Sequence, residues 1–374
     1  MIIELHILQN FSPSNLNRDD TNSPKECDFG GYRRARISSQ CIKKAIRDCD
    51  IFKTTINGKE GVRTKLLVLK IAEKITGEKG GNTKVNKVVA DIFDEAGLTP
   101  DKDLKTDVLV FIDKLALDQI AQMIKTKLTD LEKGNKETKQ TIVNELAKIV
   151  EDKVKTPDIS LFGRMLAVKP ESPLGKRTLN INAACQVAHA ISTSKVGVEF
   201  DFYTAMDDLK KPEEEAGASM MGTVEYNSAC FYRYANIDCN QLQINLGGDK
   251  DLARKTIEAF IRAAVNAIPT GKQNSFAAQN PPSFVFAVVR DSGAWSLTNA
   301  FVKPVRVGET GDLVEQSIEK LVEYWGKLSK VYGDNGIKAK PAFVLDAQKL
   351  AGLDAMDTLE KLIAKVNETI TAGC

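Results

Sequence analysis

A basic segment near the N-terminus is the part of this sequence whose residue types most clearly could do chemistry. From Phe29 to Arg47 the sequence reads FGGYRRARISSQCIKKAIR, and no acidic residue interrupts it. Guanidinium and ammonium groups neutralise phosphates, and serine hydroxyls can add hydrogen bonds to phosphate oxygens. The pattern predicts a polyanion-binding segment, although a solvated helix face after a charged edge strand has a similar composition. Its basic residues are Arg33, Arg34, Arg36, Lys43, Lys44 and Arg47.

A loop later in the chain offers a second, weaker candidate. Within PTGKQNSFAAQNPP, the run from Lys272 to Phe276 combines a cation, two amides, a hydroxyl and an aromatic ring. Such groups can contact a nucleotide's phosphate, base edge and ring face. An ordinary connecting loop is the competing interpretation.

Carboxylates and histidines give little support for catalysis. The pairs Asp19-Asp20 and Asp207-Asp208 could ligate hard cations, but both lie in turn-prone contexts where Asp is common. Of the only two histidines, His6 is expected on a strand surface and His189 in the core. The seven cysteines form no C-x-x-C pair, so neither a zinc site nor a disulfide framework is predicted. We therefore expect no cofactor, no metal and no enzymatic activity.

Bulk composition is that of an ordinary globular protein. The 374 residues include 52 Lys and Arg against 50 Asp and Glu, a formal charge of only +2. Any nucleic-acid site must therefore come from clustering of charge. The sequence has neither a membrane-length apolar run nor a signal peptide, which predicts a cytoplasmic protein.

The candidate binding residues must be positioned by strands and helices. The hydrophobic residues along the chain alternate between the spacing typical of strands and that typical of helices. Ser38 or Ser39 is expected to cap a basic amphipathic helix, and a long loop is expected over 10–31. A lysine- and glutamate-rich stretch over 62–156 predicts a helical insertion. The other predicted elements are a strand at 2–8, two strands joined by a charged tip at 210–215, a helix at 249–268, a strand at 283–289, and helices at 312–331 and 356–371.

This order is strand, helix, helical insert, two strands, helix and strand. It predicts an α+β fold of the ferredoxin-like, split βαβ type that RNA recognition motifs also use.

Four long motifs together resemble the backbone subunit family of type I-E CRISPR Cascade complexes, the CasC or Cse-type proteins. The motifs are NFSPSNLNRDDTNSPKECDFGGYRRARISSQCIKKAIR, VEFDFYTAMDDL, FYRYANIDCNQLQINLGG and PTGKQNSFAAQNPP. The resemblance implies an RRM-like palm, a helical fingers insertion and a protruding β-hairpin thumb. The implied ranges are 1–58 for the first palm part, 59–182 for the fingers, 183–192 for palm, 193–225 for the thumb and 226–374 for the second palm part with C-terminal helices.

The resemblance also implies a set of guide-RNA contacts, carried over motif by motif. Lys44 stands where arginine is familiar, so a charge contact is expected there and not a bidentate one. Met165 resembles the family's apolar wedge beside displaced bases, and Phe202, Tyr203 and Thr204 fall in the thumb, whose tip carries Glu213, Glu214 and Glu215. The remaining implied contacts are Arg18, Lys25, Arg34, Arg36, Ser38, Gln40, Lys43, Arg47 and Lys272.

The implied function is a non-catalytic subunit that polymerises along a CRISPR RNA and presents it for pairing with target DNA in antiviral defence. Its implied partners are the CRISPR RNA, target DNA through the guide, copies of itself and other Cascade subunits. Two alternatives stay open. One is a metal-dependent ribonuclease backbone subunit of a type III-like complex, and the other is a generic RRM protein that binds RNA as a monomer.

Overall fold

The chain folds into two compact units. The structure, a computed structural model, describes residues 1–152, 155–205, 220–306, 311–345, 350 and 352–373. Unit 1 comprises Met1–Phe52, Gln186–Ile237 and Glu258–Cys374, and unit 2 comprises Lys53–Cys185 and Asp238–Ile257. Residues 238–257 pack with unit 2. The family resemblance had implied that they belong to the second palm part, 226–374.

Eleven strands of the described residues form the mixed sheet that organises unit 1. Its path follows β13-β12-β10-β1-β9-β7-β3-β2, with β11 paired to β10 and β6 and β8 paired to β9. The strands are β1 Ile2–Ser14, β2 Glu26–Phe29, β3 Tyr32–Ile37, β6 Cys185–Val187, β7 Ala190–Ser192, β8 Glu199–Ala205, β9 Met220–Asp238, β10 Phe284–Arg290, β11 Ile337–Ala339, β12 Pro341–Val344 and β13 Asp354–Ala355.

The central strands keep the order that a split βαβ unit requires. β1 lies between β9 and β10, and β7 lies on the far side of β9. β1 pairs antiparallel with β10, which places Leu5 opposite Ala287. The helices α1 Ser39–Asp48 and α10 Lys250–Asn266 follow the first and third strands of this set along the chain.

Helices cover both faces of the central strands. On one face, Leu5 and Ile7 meet Ile42 and Ile46 of α1 around a small internal pocket. On the other face, Phe286 of β10 packs edge-on against Trp325 of α12 Leu313–Tyr332, with ring centroids 5.0 Å apart. The remaining helices of unit 1 are α11 Gln273–Phe276, the 3₁₀ helix Leu297–Phe301 and α13 Leu359–Gly373.

The expectation of a surface histidine in the first strand was wrong. The His6 side chain has no exposed surface, because helices cover its face of the sheet as well. Its Nδ1 lies 2.8 Å from the Tyr232 hydroxyl, and its ring is 5.2 Å from that of Phe286. Burial lowers the pKa of His6 to about 3.

Unit 2 is mainly helical around one apolar core. Unit 2 also contains a two-stranded antiparallel sheet, in which Val62 of one strand pairs with Ile112 of the other. The elements are β4 Gly61–Thr64, α3 Leu67–Thr76, α4 Thr83–Ala96, β5 Val110–Asp113, α5 Lys114–Thr126, α6 Leu128–Glu132, α7 Lys136–Asp152, α8 Pro157–Phe162 and α9 Cys239–Asn245. α2 Asp50–Thr55 and α10 each divide between the two units.

The predicted start of α1 agrees with the structure, whereas the predicted N-terminal loop agrees only in part. Ser38 caps α1 by accepting a hydrogen bond from the Cys41 amide, as one of the two predicted serines. The predicted 10–31 loop is interrupted, because β1 continues to Ser14 and β2 begins at Glu26. No helix among the residues described is long and apolar enough to cross a membrane.

Candidate nucleic-acid interface

The first basic side chains of the segment lie on β3, where the adjacent residues Arg33 and Arg34 have different surroundings. Arg33 is exposed, and its Nε donates to Glu26 Oε2 on the neighbouring strand β2 at 2.6 Å. Its Nη1 lies 3.8 Å from Asp28 Oδ2. The absence of acidic residues from the segment's sequence is therefore partly offset in space by β2.

Arg34, one of the predicted guide contacts, is fully buried in this structure. Its Nη1 donates to the carbonyls of Ser192 and Thr193 at 3.0 and 2.8 Å. Its Nη2 donates to the carbonyl of Phe301 at 2.6 Å and to that of Val302 at 3.3 Å. Burial lowers the pKa of its guanidinium. A side chain with no exposed surface and four backbone acceptors joins distant segments of unit 1.

Arg36 remains half-exposed and meets His189. Its Nη1 lies 3.4 Å from His189 Nδ1, and its Nε donates to the Glu26 carbonyl at 3.3 Å. The same His189 nitrogen accepts the backbone N–H of Ser39 at 3.1 Å. His189 itself is exposed, so the prediction that it is a core histidine was wrong. It follows β6, and the β3–β7 pairing brings it to the start of α1.

The first turn of α1 presents small polar groups. Ser38 is buried; its hydroxyl caps the helix and its amide donates to Asn17 Oδ1 at 2.7 Å. Gln40 is exposed. Ser38 is therefore a positioning residue in this structure, whereas the Gln40 side chain can reach a ligand.

The basic residues of α1 lie away from its apolar stripe. Ile42 and Ile46 face the core, while Lys43 and Arg47, one turn apart, are half-exposed. Lys44 is exposed and pairs with Asp48 on the same helix. No acidic residue occupies the first turn of α1, and Arg47 lies in its last turn.

The loop before β2 supplies two further predicted contacts. Arg18 is exposed and donates from Nη1 to Asn22 Oδ1 at 3.0 Å. Lys25 is half-exposed, and its backbone bonds to Asn17 and Arg36 hold it beside β3. Arg18, Lys25 and Arg36 thus belong to one region of unit 1.

An open cleft of ≈ 480 Å³ lies within this region. It holds three carboxylates and three cations, so it carries no net charge from its lining. The lining residues are Asp19, Ser23, Pro24, Lys25, Glu26, Arg33, Arg36, Val198 and Glu225. Arg33 was predicted only as part of the basic segment, and His189 was not a predicted contact, since its approach to Arg36 and Ser39 leaves no local signal in the sequence.

The Lys272 loop packs onto the start of this region. Lys272 is half-exposed in a left-handed conformation with φ of 51°. A Cβ on Gly271 would lie 2.4 Å from the Leu16 carbonyl, which shows how closely the two loops approach. Phe276 lies 5.7 Å, centroid to centroid, from Tyr226 of β9.

The predicted thumb strands β8 and β9 pair antiparallel and carry exposed apolar side chains on both faces. Phe202 is 64% exposed and pairs with Thr223, while Tyr203 is 40% exposed and pairs with Gly222. Thr204 pairs with Met221, which is 66% exposed. Asp207, Asp208 and the acidic run Glu213, Glu214 and Glu215 lie outside the described residues.

Met165 belongs to unit 2, where its neighbour fixes it. Met165 is 85% exposed, the largest fraction among the large apolar side chains of the described part. Arg164 is buried and donates to the carbonyls of Leu179, Phe111 and Val150 at 2.7, 3.2 and 3.2 Å. The buried hydrogen bonds of Arg164 thus hold the backbone beside an apolar side chain that faces solvent.

Asp19, the first carboxylate of the N-terminal pair, has structural partners. Asp19 Oδ1 accepts hydrogen bonds from the Thr21 amide and hydroxyl and from the Ser23 amide, at 2.9, 2.7 and 3.0 Å. These bonds lower the pKa of Asp19. Over the described ranges, no three His, Cys, Asp or Glu residues cluster so as to hold a metal ion.

Chains of known CRISPR surveillance complexes share this fold. The chain has the mixed α/β fold of a CRISPR surveillance complex subunit, with a TM-score of 0.84 and 27% identity to a chain from a CRISPR RNA-guided surveillance complex in a pre-nicking state. That match covers 98% of this chain and 99% of the other. A second surveillance complex chain, at 24% identity, matches with a TM-score of 0.73 over the same shares and shows the fold alone.

The chain belongs to the CT1975-like protein family of Cas proteins, whose model matches residues 3–369. A search of curated proteins found no match.

Proposed function

We propose that this chain is a CRISPR RNA-binding backbone subunit of a type I-E Cascade complex. The observation that carries the proposal is the match over nearly the whole length of both chains to a surveillance complex subunit. In this proposal the cytoplasmic chain polymerises along the guide with copies of itself and other Cascade subunits. The guide bases remain available to pair with target DNA, so pairing reads the sequence and the protein holds the shape.

The geometry of unit 1 supports an RNA-backbone contact. Arg36 and Lys25 line the cleft, and Arg18 lies on the same loop between β1 and β2 as Lys25. Lys43, Lys44 and Arg47 lie away from the apolar stripe of α1, where their charges can attract phosphate. The split βαβ order of the central strands supports an RRM-like palm, and the β8–β9 hairpin supports a thumb.

Salt-dependent RNA binding tests this proposal. The double substitution Lys43→Glu and Arg47→Glu is expected to weaken single-stranded RNA binding. It should also reduce the steepness with which the logarithm of the binding constant falls with log salt by about 1.4, since each phosphate contact on a single strand contributes about 0.7. A matched control is Lys361→Glu with Lys365→Glu, two basic residues also four apart on α13. Equal behaviour of the two double variants would refute the proposed site.

We also propose that the chain itself cuts no nucleic acid. The hydrogen bonding of Asp19 within its turn supports this view. Labelled target RNA and Mg²⁺ should give no regularly spaced fragments when incubated with the assembled complex. Regular fragments that Asp19→Ala, Asp20→Ala, Asp207→Ala or Asp208→Ala abolishes would establish the ribonuclease alternative instead.

A further inference from the structure

His189 occupies a position that the basic side chains alone do not explain. It is exposed beside Arg36 and the first residue of α1, yet it is a neutral side chain among cations. Its Nδ1 faces two groups that can only donate: the Ser39 amide at 3.1 Å and the Arg36 guanidinium at 3.4 Å.

These two donors assign the tautomer of the ring. Nδ1 must offer its lone pair to them, so the ring proton resides on Nε2. Burial, Arg36 and Lys25 all lower the pKa of His189, which keeps the ring neutral at neutral pH. Nε2–H makes no hydrogen bond to any described residue, so an oriented donor remains for a ligand.

We propose that His189 is a further RNA contact, in which Nε2–H donates to a phosphate or ribose oxygen of the guide while Nδ1 positions Arg36 and the start of α1. This inference rests on the proposed RNA-binding function. Its chemistry differs from that of the lysines and arginines, because a neutral donor binds an oxygen without releasing a counterion. Loss of this contact therefore lowers RNA affinity and leaves the salt slope unchanged.

Two amide substitutions separate the two ring nitrogens. In His189→Asn the side-chain oxygen can replace Nδ1 as the acceptor for Ser39, but no donor reaches the Nε2 position. In His189→Gln the longer amide places a donor near the Nε2 position. We expect His189→Asn to weaken RNA binding by about tenfold with the wild-type salt slope, and His189→Gln to recover most of that loss.

Three outcomes of this comparison contradict the contact. They are wild-type affinity in His189→Asn, a lowered salt slope in His189→Asn, and no recovery in His189→Gln. Unfolding of each variant in urea provides the control, and since His189 is exposed, each variant is expected to unfold at the wild-type urea midpoint.

The presence of only two histidines permits a direct measurement on the wild-type chain. With ¹⁵N-labelled histidine, a short single-stranded RNA should shift the imidazole signals of His189 and leave those of buried His6 unchanged. Unchanged His189 signals on a protein that binds the RNA would overturn the inference alone. Absence of any RNA binding by the wild-type chain would instead overturn the proposed function.

Discussion

The guanidinium of Arg34 donates to the carbonyl oxygen of Phe301 at 2.6 Å, across 267 residues of sequence. Arg36, two residues further along β3, keeps its guanidinium half-exposed beside the cleft. Two arginines of one basic segment therefore act differently: the first holds unit 1 together, and the second is placed to meet a ligand.

Substitution of these two arginines should separate stability from binding. Arg34→Ala removes a charged donor from four carbonyls and is expected to lower the free energy of unfolding by about 3 kcal/mol or more. Arg36→Ala should change it by less than about 1 kcal/mol and should weaken RNA binding. Urea unfolding and RNA titration measure the two effects. Wild-type stability with lost RNA binding in Arg34→Ala would contradict the assignment.

Unit 2 contains a similar pair, the buried Arg164 and the exposed Met165. Met165→Ala should leave the free energy of unfolding within about 0.5 kcal/mol of wild type, because the side chain is 85% exposed. Arg164→Ala should be strongly destabilising, since three carbonyls lose a buried donor. If Met165 is the wedge beside displaced bases, Met165→Ala also weakens assembly on RNA. Unfolding and assembly measured on the same preparations test this, and a strongly destabilised Met165→Ala would contradict it.

Stability should depend on pH through His6. Its pKa is about 3 in the fold against 6.5 for a free histidine, so between these values the unfolded chain binds the additional proton. Stability from this group is complete above pH 6.5 and declines as the pH falls toward 3, by up to about 1.4 kcal/mol per pH unit. His6→Phe should flatten the profile of unfolding free energy between pH 6.5 and 4. An unchanged slope would show that His6 does not titrate as described.

The hairpin contains a contact that a single methyl group can test. A Cβ on Gly222 would lie 2.5 Å from the Tyr203 ring and hydroxyl, so Gly222→Ala must displace that ring. The ring is partly exposed and can move, and the expected stability change is below about 1 kcal/mol. If Tyr203 belongs to the thumb contact, assembly on RNA weakens in Gly222→Ala and persists in the neighbouring control Thr223→Ala. Equal assembly of both variants would argue against a role for the ring.

Features that depend on a few adjacent residues were predictable from the sequence. The start of α1 follows from the Ser38 cap and from the spacing of Ile42 and Ile46. The order of the central strands and helices along the chain follows from the alternation between strand and helix periods.

Features that depend on distant residues were not predictable. Arg34 and Arg36 look equivalent in RRARI, and only the carbonyls of Ser192 and Phe301 distinguish them. His6 looks exposed in an alternating strand, because the pattern does not reveal that helices cover both faces. The contact between His189 and Ser39 joins residues 150 positions apart, so neither residue signals it locally.

The central claim is that copies of this chain repeat along one RNA strand. The most direct test is the mass of complexes formed on guide RNAs of increasing length, measured by mass photometry with the other Cascade subunits present. We predict that the number of copies rises in regular steps with RNA length. A single copy on every length, or an assembly of fixed size that ignores the RNA, would contradict the account.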